Sequence, residues 1–356
     1  MTKILQAVDV KKYFATRTGW LGKLLPLDTK SAAYVKAVDG VSLEIAQGEM
    51  LGILGESGCG KTTFIRTILR LLEPTGGQVF FEGRDIFTLT EKEVKQHLRR
   101  RLRMVFQHPD AVLNPAYTVA MVLEQALRTH TAFDDETREK RKIALLHDVG
   151  LSRKYLEKYP HELSGGKKRR VTICRALATN PAIIFADEPL SGLDVSLQYQ
   201  VLELLLKIRL QNQLTLVLIS HDIDVVQKTC DRIAVMYAGR IVELGRNEDF
   251  APETSLHPYT KTLFASHFRL DEKKNKSKLA PNIYLATEGL ANGSSAGCPY
   301  RAACALWHEK GKPSQCEQEN PGLTLKTPEH FVACHFAESA ATQGVQQMVE
   351  TKELRY

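Results

Sequence analysis

An α/β fold with a parallel sheet, extended by a small cysteine-bearing appendage, is what this 356-residue sequence predicts. Three observations point to it. A glycine-rich loop at residues 55–60 sits between a continuous apolar run and a stretch with helical periodicity. Two further short apolar runs, 182–186 and 214–219, each end in charged or polar residues, as buried parallel strands do at the ligand-binding edge of an open sheet. Four of the seven cysteines fall after residue 297, behind a polar stretch. The length accommodates one large domain of about 250 residues plus such an appendage.

Composition narrows the class. With 43% hydrophobic and 25% charged residues the chain is an ordinary globular protein, neither fibrous nor disordered. The longest nearly unbroken apolar run, Leu214 to Ser220, is far short of the roughly 20 residues that cross a bilayer. The uncharged stretch before Asp9 is too short for a signal peptide, so a cytoplasmic chain is expected, with membrane work done through partners. Lys and Arg number 48 against 41 acidic residues, a net charge of +7 spread along the chain except at Arg99, Arg100, Arg101 and Arg103. That run reads as a solvated helix face, and no nucleic-acid partner is expected.

Along the chain, residues 38–46 alternate apolar and polar positions, Gln47-Gly48 makes a turn, and 50–54 is continuously apolar: strand, turn, buried strand. Gly55-Glu56-Ser57-Gly58-Cys59-Gly60-Lys61-Thr62-Thr63 follows, and then Phe64, Ile65, Ile68, Leu69 and Leu72 at helical spacing. Strand, glycine loop and helix in that order make a phosphate-binding loop, because backbone N–H groups and a helix N-terminus converge there. Lys61 is placed to reach the terminal phosphates of a nucleotide and the Thr62 hydroxyl to ligate Mg²⁺. A second cluster, Leu163-Ser164-Gly165-Gly166-Lys167-Lys168-Arg169-Arg170, opens a helix with Ser164 as its expected N-cap. The apolar strand 182–186 then runs into Asp187-Glu188, a carboxylate pair suited to holding Mg²⁺ and to orienting or deprotonating water. The strand 214–219 ends at Ser220-His221-Asp222.

Taken together, GESGCGKT, Gln107, LSGGKKRR, IIFADE, the SGLD segment at 191–194 and His221 resemble the ATP-binding-cassette (ABC) ATPases in order and spacing over about residues 1–265. AVDGVSLEI, VFQHPDAVLNP, DEPLSGLDVSLQYQVLELL, ISHDIDVV, VMYAGRIVE and His257-Pro258-Tyr259 are similar, more narrowly, to the ATPase subunits of dipeptide/oligopeptide permeases. The resemblance implies a P-loop NTPase of ABC type: a RecA-like core, an antiparallel β subdomain and a helical subdomain at about 108–180. It also implies that Phe14, or else Tyr13, stacks on adenine. By the same resemblance Gln107 is expected to touch Mg²⁺ and couple the site to membrane subunits, Glu188 to be the catalytic carboxylate, and His221 to contact the γ-phosphate. The resemblance further implies that Ser164, Gly165 and Gly166 contact ATP held by a second ATPase subunit, with Asp194 at the seam. The expected partners are a paralogous ATPase subunit, two transmembrane permease subunits and, indirectly, a solute-binding protein, at the cytoplasmic face of the membrane.

Three positions depart from the family pattern: Lys167 stands where glutamine is usual, Gly192 where alanine is, and Thr62 where serine is. Residues 17–36 form a longer excursion between the first two strands, in which Trp20, Leu21, Leu24 and Leu25 are either a partner contact or a self-packed loop. Residues 266–297 read as a solvated linker and 337–356 as a tail, leaving 298–336 as a four-cysteine unit. Cys298, Cys304, Cys316 and Cys334 lie at spacings of 5, 11 and 17 residues and lack the close pair usual in structural zinc sites. The permease resemblance implies a [4Fe-4S] cluster, with Zn²⁺ and then unligated thiols the alternatives. The expected function is ATP hydrolysis energising import of peptides or similar small solutes. The same role for nickel or oligosaccharides, and a redox-responsive or non-transport ATPase, are the alternatives.

Overall fold

The structure, a computed structural model, describes residues 2–16, 33–251, 254–271 and 296–337. The apolar group Trp20, Leu21, Leu24 and Leu25, most of the expected linker and nearly all of the tail lie outside the described residues. In chain order the strands are β1 (Lys3–Thr16), β2 (Ala33–Ala46), β3 (Met50–Leu54), β4 (Gly76–Phe81), β5 (Arg84–Asp85), β6 (Leu102–Val105), β7 (Ile183–Asp187), β8 (Thr215–Ser220), β9 (Arg232–Tyr237), β10 (Arg240–Arg246), β11 (Thr324–Thr327) and β12 (His330–Val332).

They form two sheets. The smaller is antiparallel, in the order β2-β1-β4-β5. Its alternating residues Val41, Leu43 and Ile45 turn inward, as the sequence pattern dictates. The larger runs β11-β12-β10-β9-β3-β8-β7-β6. Its central strands β9, β3, β8, β7 and β6 are parallel. Every residue of β3, β7 and β8 is buried, which is why these segments are continuously apolar rather than alternating.

Between β6 and β7 lies a helical segment that includes helices Val119–His130, Asp135–Asp148 and Gly165–Leu177. Thr118 and Asp134 cap the first two by accepting from the amides of Met121 (3.3 Å) and Thr137 (2.9 Å). Their apolar faces, with Leu123, Leu127, Leu145 and Leu146, join one core with β7 and β8.

The cysteine-bearing segment differs from the expectation of a unit set apart by a linker. Helix Pro258–Asp271 runs past the expected boundary at 266. Antiparallel pairing of β12 with β10, Glu243 opposite Val332, adds the C-terminal strands to the edge of the main sheet. Beneath that joint the Glu243 carboxylate is fully buried and accepts from the amides of Leu256 (2.8 Å) and His257 (3.0 Å), while His330 Nε2 lies 2.8 Å from it. A buried carboxylate is tolerated only with such partners. Tyr300 and Cys304 belong to the same core as Phe250, Tyr259 and Phe264.

Candidate nucleotide site

The parallel register brings the carboxyl ends of four strands level: Val105 beside Ala186, Asp187 beside Ile219, and Leu54 beside Ser220. Gln107, Asp187, Glu188, His221 and the loop that follows Leu54 therefore meet at one edge, where open α/β sheets bind ligands.

The loop 55–60 leads into helix Lys61–Ile68. Gly60 has φ 108°, and a Cβ there would come within 2.1 Å of the Ala37 carbonyl oxygen, so only glycine fits. Lys61 is buried, and its ammonium donates to the carbonyls of Gly55 (2.6 Å) and Glu56 (2.8 Å). Cys59 is also buried, and burial raises its thiol pKa, which marks it as a packing residue of the loop rather than a thiolate.

Thr62 Oγ1 stands 3.1 Å from Asp187 Oδ2 and 3.2 Å from Oδ1. Burial raises the Asp187 pKa, against the opposing effect of the Thr62 hydrogen bond. A hydroxyl and a poorly solvated carboxylate converging at a glycine loop are an oxygen donor set that fits Mg²⁺, whose charge would offset that desolvation.

Glu188 is held from three sides. Gln107 Nε2 donates to Oε2 at 2.7 Å, His221 Nδ1 lies 3.2 Å from Oε1, and its backbone amide donates to the Ile219 carbonyl at 2.9 Å. Its φ of 43° is a left-handed conformation that costs a non-glycine residue about 1–3 kcal/mol, a strain that clusters at functional sites. The geometry aims one carboxylate, flanked by an amide and an imidazole, beside the Thr62–Asp187 pair.

Ser164 and Gly165 are exposed at the start of helix Gly165–Leu177. Ser164 has N-cap backbone angles, but its hydroxyl makes no capping hydrogen bond, contrary to the expected cap role. A Cβ on Gly165 would meet Leu193, and one on Gly166 would meet Leu197, so this helix start packs on the 191–197 segment. Asp194 caps helix Val195–Asn212 by accepting the Leu197 amide at 2.9 Å. The atypical Lys167 lies over the Tyr155 ring, 5.2 Å from its centroid. Arg169 is buried and donates to the carbonyls of Phe106 (2.7 Å) and Ser191 (3.3 Å). It ties the signature helix to the residue before Gln107 and to the SGLD segment, a role visible only in the structure.

Of the two aromatics weighed for adenine, Phe14 is the exposed one, at 40%, with Lys12 over its ring. The Tyr13 hydroxyl donates to Asp39, and burial and that bond raise its pKa to about 12.

Residues 38–191 match the family model described as ABC transporter, and residues 242–310 match the oligopeptide/dipeptide transporter, C-terminal region. The oligopeptide transport ATP-binding protein AppF of Bacillus subtilis is 40% identical over 333 residues, 93% of this chain and 97% of that protein. This chain belongs to the ABC transporter ATPases of that family. The dipeptide transport ATP-binding protein DppF of Haemophilus influenzae is 34% identical over 94% of this ABC ATPase and 96% of its own length. Among solved structures, a dimeric ATP-binding cassette in a post-hydrolysis state with ADP and Pi superposes with a TM-score of 0.58 at 29% identity, over 68% of this chain and 98% of that one. Among the described residues of this ABC ATPase, no helix is long and apolar enough to cross a membrane.

The four C-terminal cysteines line one small cavity of about 20 Å³. Burial raises all four thiol pKa values, that of Cys298 to about 11. Among the described residues no group of three or more His, Cys, Asp or Glu side chains is placed to hold a metal ion. Four thiols at one cavity are the donor chemistry of a Cys₄ site, but the described residues do not bring them together as a metal-holding group.

Proposed function

We propose that this ABC ATPase energises import of oligopeptides or dipeptides through membrane permease subunits, working at the cytoplasmic face of the membrane. The observation that carries the reading is the 40% identity to an oligopeptide transport ATP-binding protein over 93% of the chain. The match at 242–310 to the oligopeptide/dipeptide C-terminal region supports it further, and the nickel, oligosaccharide, redox and non-transport alternatives find no such support.

In this reading the loop from Gly55 through Gly60, with Lys61, Thr62 and Thr63, holds the ATP phosphates, and Phe14 stacks on the adenine. Thr62, Asp187 and Gln107 hold Mg²⁺, which neutralises phosphate charge when bound. Glu188 orients the attacking water and takes its proton, and His221 contacts the γ-phosphate. Ser164, Gly165, Gly166 and Asp194 serve the nucleotide of a second, paralogous ATPase subunit, so two subunits enclose two nucleotides. A solute-binding protein delivers the peptide from the other side. We further assign Cys298, Cys304, Cys316 and Cys334 to a structural [4Fe-4S] cluster, with zinc the alternative occupant. The reading is supported by the four cysteines lining one cavity.

The test is ATP hydrolysis by the membrane complex purified through a tag on this chain, assayed with peptides, nickel and oligosaccharides. Stimulation by peptides alone is expected. Stimulation by nickel or an oligosaccharide instead would overturn the substrate assignment.

A further inference from the structure

Tyr259 belongs to none of the nucleotide-site motifs, yet its buried hydroxyl accepts the Glu56 N–H at 3.3 Å, at the entry to the glycine loop. That N–H and the Gly55 carbonyl are the two ends of one planar peptide unit. The Gly55 carbonyl takes the strongest contact of the Lys61 ammonium, at 2.6 Å. Turning this plane moves both groups together, and glycine at 55 offers little resistance to the turn. The Tyr259 hydroxyl therefore fixes the orientation of the carbonyl on which Lys61 rests.

Tyr259 is itself held by the C-terminal half of the chain. Its amide donates to His257 Nδ1 at 3.0 Å, and the His257 amide is bound by buried Glu243. Its ring packs on Tyr237 at the end of β9 (centroids 4.7 Å apart) and on Tyr300 (5.5 Å), and Tyr237 and Tyr300 meet edge-on at 5.4 Å. Tyr300 lies between Cys298 and Cys304 and donates to Thr262 at 3.4 Å. The three rings form a packed path from the cysteine-lined cavity to the phosphate loop, and aromatic contacts of this kind resist repacking.

We propose that Tyr259 is a positioning residue of the nucleotide site and that Tyr300, from the cysteine-bearing segment, braces it, so that the C-terminal segment sets how tightly the glycine loop holds nucleotide. This rests on the ATPase reading given above. The experiment compares full-length wild type, Tyr259→Phe, Tyr300→Phe and Tyr300→Ala by titration with a fluorescent ATP analogue, by KM and kcat for ATP, and by thermal unfolding. Tyr259→Phe keeps the ring and removes only the acceptor, so nucleotide Kd and KM should rise about three- to tenfold, the worth of one net hydrogen bond, with a smaller change in kcat. Tyr300→Phe should bind like wild type, and Tyr300→Ala should reproduce the rise seen in Tyr259→Phe. An unchanged Kd in Tyr259→Phe overturns the positioning role, whatever the stability of Tyr300→Ala. Equal behaviour of Tyr300→Phe and folded Tyr300→Ala overturns the brace. Wild-type protein that binds no ATP would instead overturn the ATPase reading, and this inference with it.

Discussion

Glu188→Gln isolates the negative charge at the centre of the proposed chemistry. The substitution keeps side-chain length and leaves one oxygen to accept from Gln107, whose amide now stands 2.7 Å from the carboxylate. The left-handed backbone at 188 is no harder for glutamine than for glutamate, so folding stability should change by less than about 0.5 kcal/mol. What disappears is the capacity to take a proton from water. A positioned general base contributes about 10²–10⁴-fold, so turnover should fall by that factor, roughly 3–5 kcal/mol of barrier. ATP affinity should hold or tighten, because a charge facing the phosphates is gone. Phosphate release at saturating ATP, alongside a nucleotide titration, measures both. Turnover within about threefold of wild type, with intact binding, would refute the catalytic role of this carboxylate.

Three further outcomes are expected. Lys61→Ala removes a buried ammonium and should weaken ATP binding about 10- to 100-fold, as loss of a charge-assisted hydrogen bond does; binding like wild type would contradict the phosphate role. Burial lowers the His257 pKa from 6.5 to about 4, so the folded chain keeps it neutral while the unfolded chain protonates it. The unfolded state then binds more protons between those values, and stability that is full above pH 6.5 is lost as pH falls toward 4. In denaturant unfolding across that range, His257→Gln should flatten this acid loss, and an unchanged slope would contradict it. Anaerobically purified protein should carry about four irons per chain, and Cys304→Ser should lose them; stoichiometric zinc without iron would replace the cluster assignment.

The sheet core was legible because β3, β7 and β8 are buried on both faces and so read as unbroken apolar runs. The glycine loop, the Asp187-Glu188 pair and His221 stand out in the sequence because they lie at or directly after the ends of β3, β7 and β8, whereas Phe14, Gln107, Ser164 and Asp194 follow none of these runs and enter only through the family resemblance. The joint between β12 and β10 was not. Three residues, His330-Phe331-Val332, are too few to show a period, and the pairing partner lies far away in sequence. Residues 266–271 read as linker because the stretch they open is polar, yet they continue helix Pro258–Asp271, which Tyr259 and Phe264 anchor in the core. Arg169 shows the same limit from the other side: in a Lys-Lys-Arg-Arg run nothing marks which cation is solvated, and the backbone carbonyls that bury this one come from distant segments. Ser164 has the sequence of a cap and the backbone of one, yet its hydroxyl makes no capping hydrogen bond.

The most direct measurement is ATP-dependent uptake of a labelled peptide into vesicles bearing the assembled complex, with this chain either wild type or Glu188→Gln. Uptake that requires ATP and wild-type Glu188, and that stops in the variant while nucleotide still binds, is the expected result. Uptake that continues at an undiminished rate with Glu188→Gln, or that never depends on ATP, would contradict the assignment of this chain as the subunit that powers peptide import.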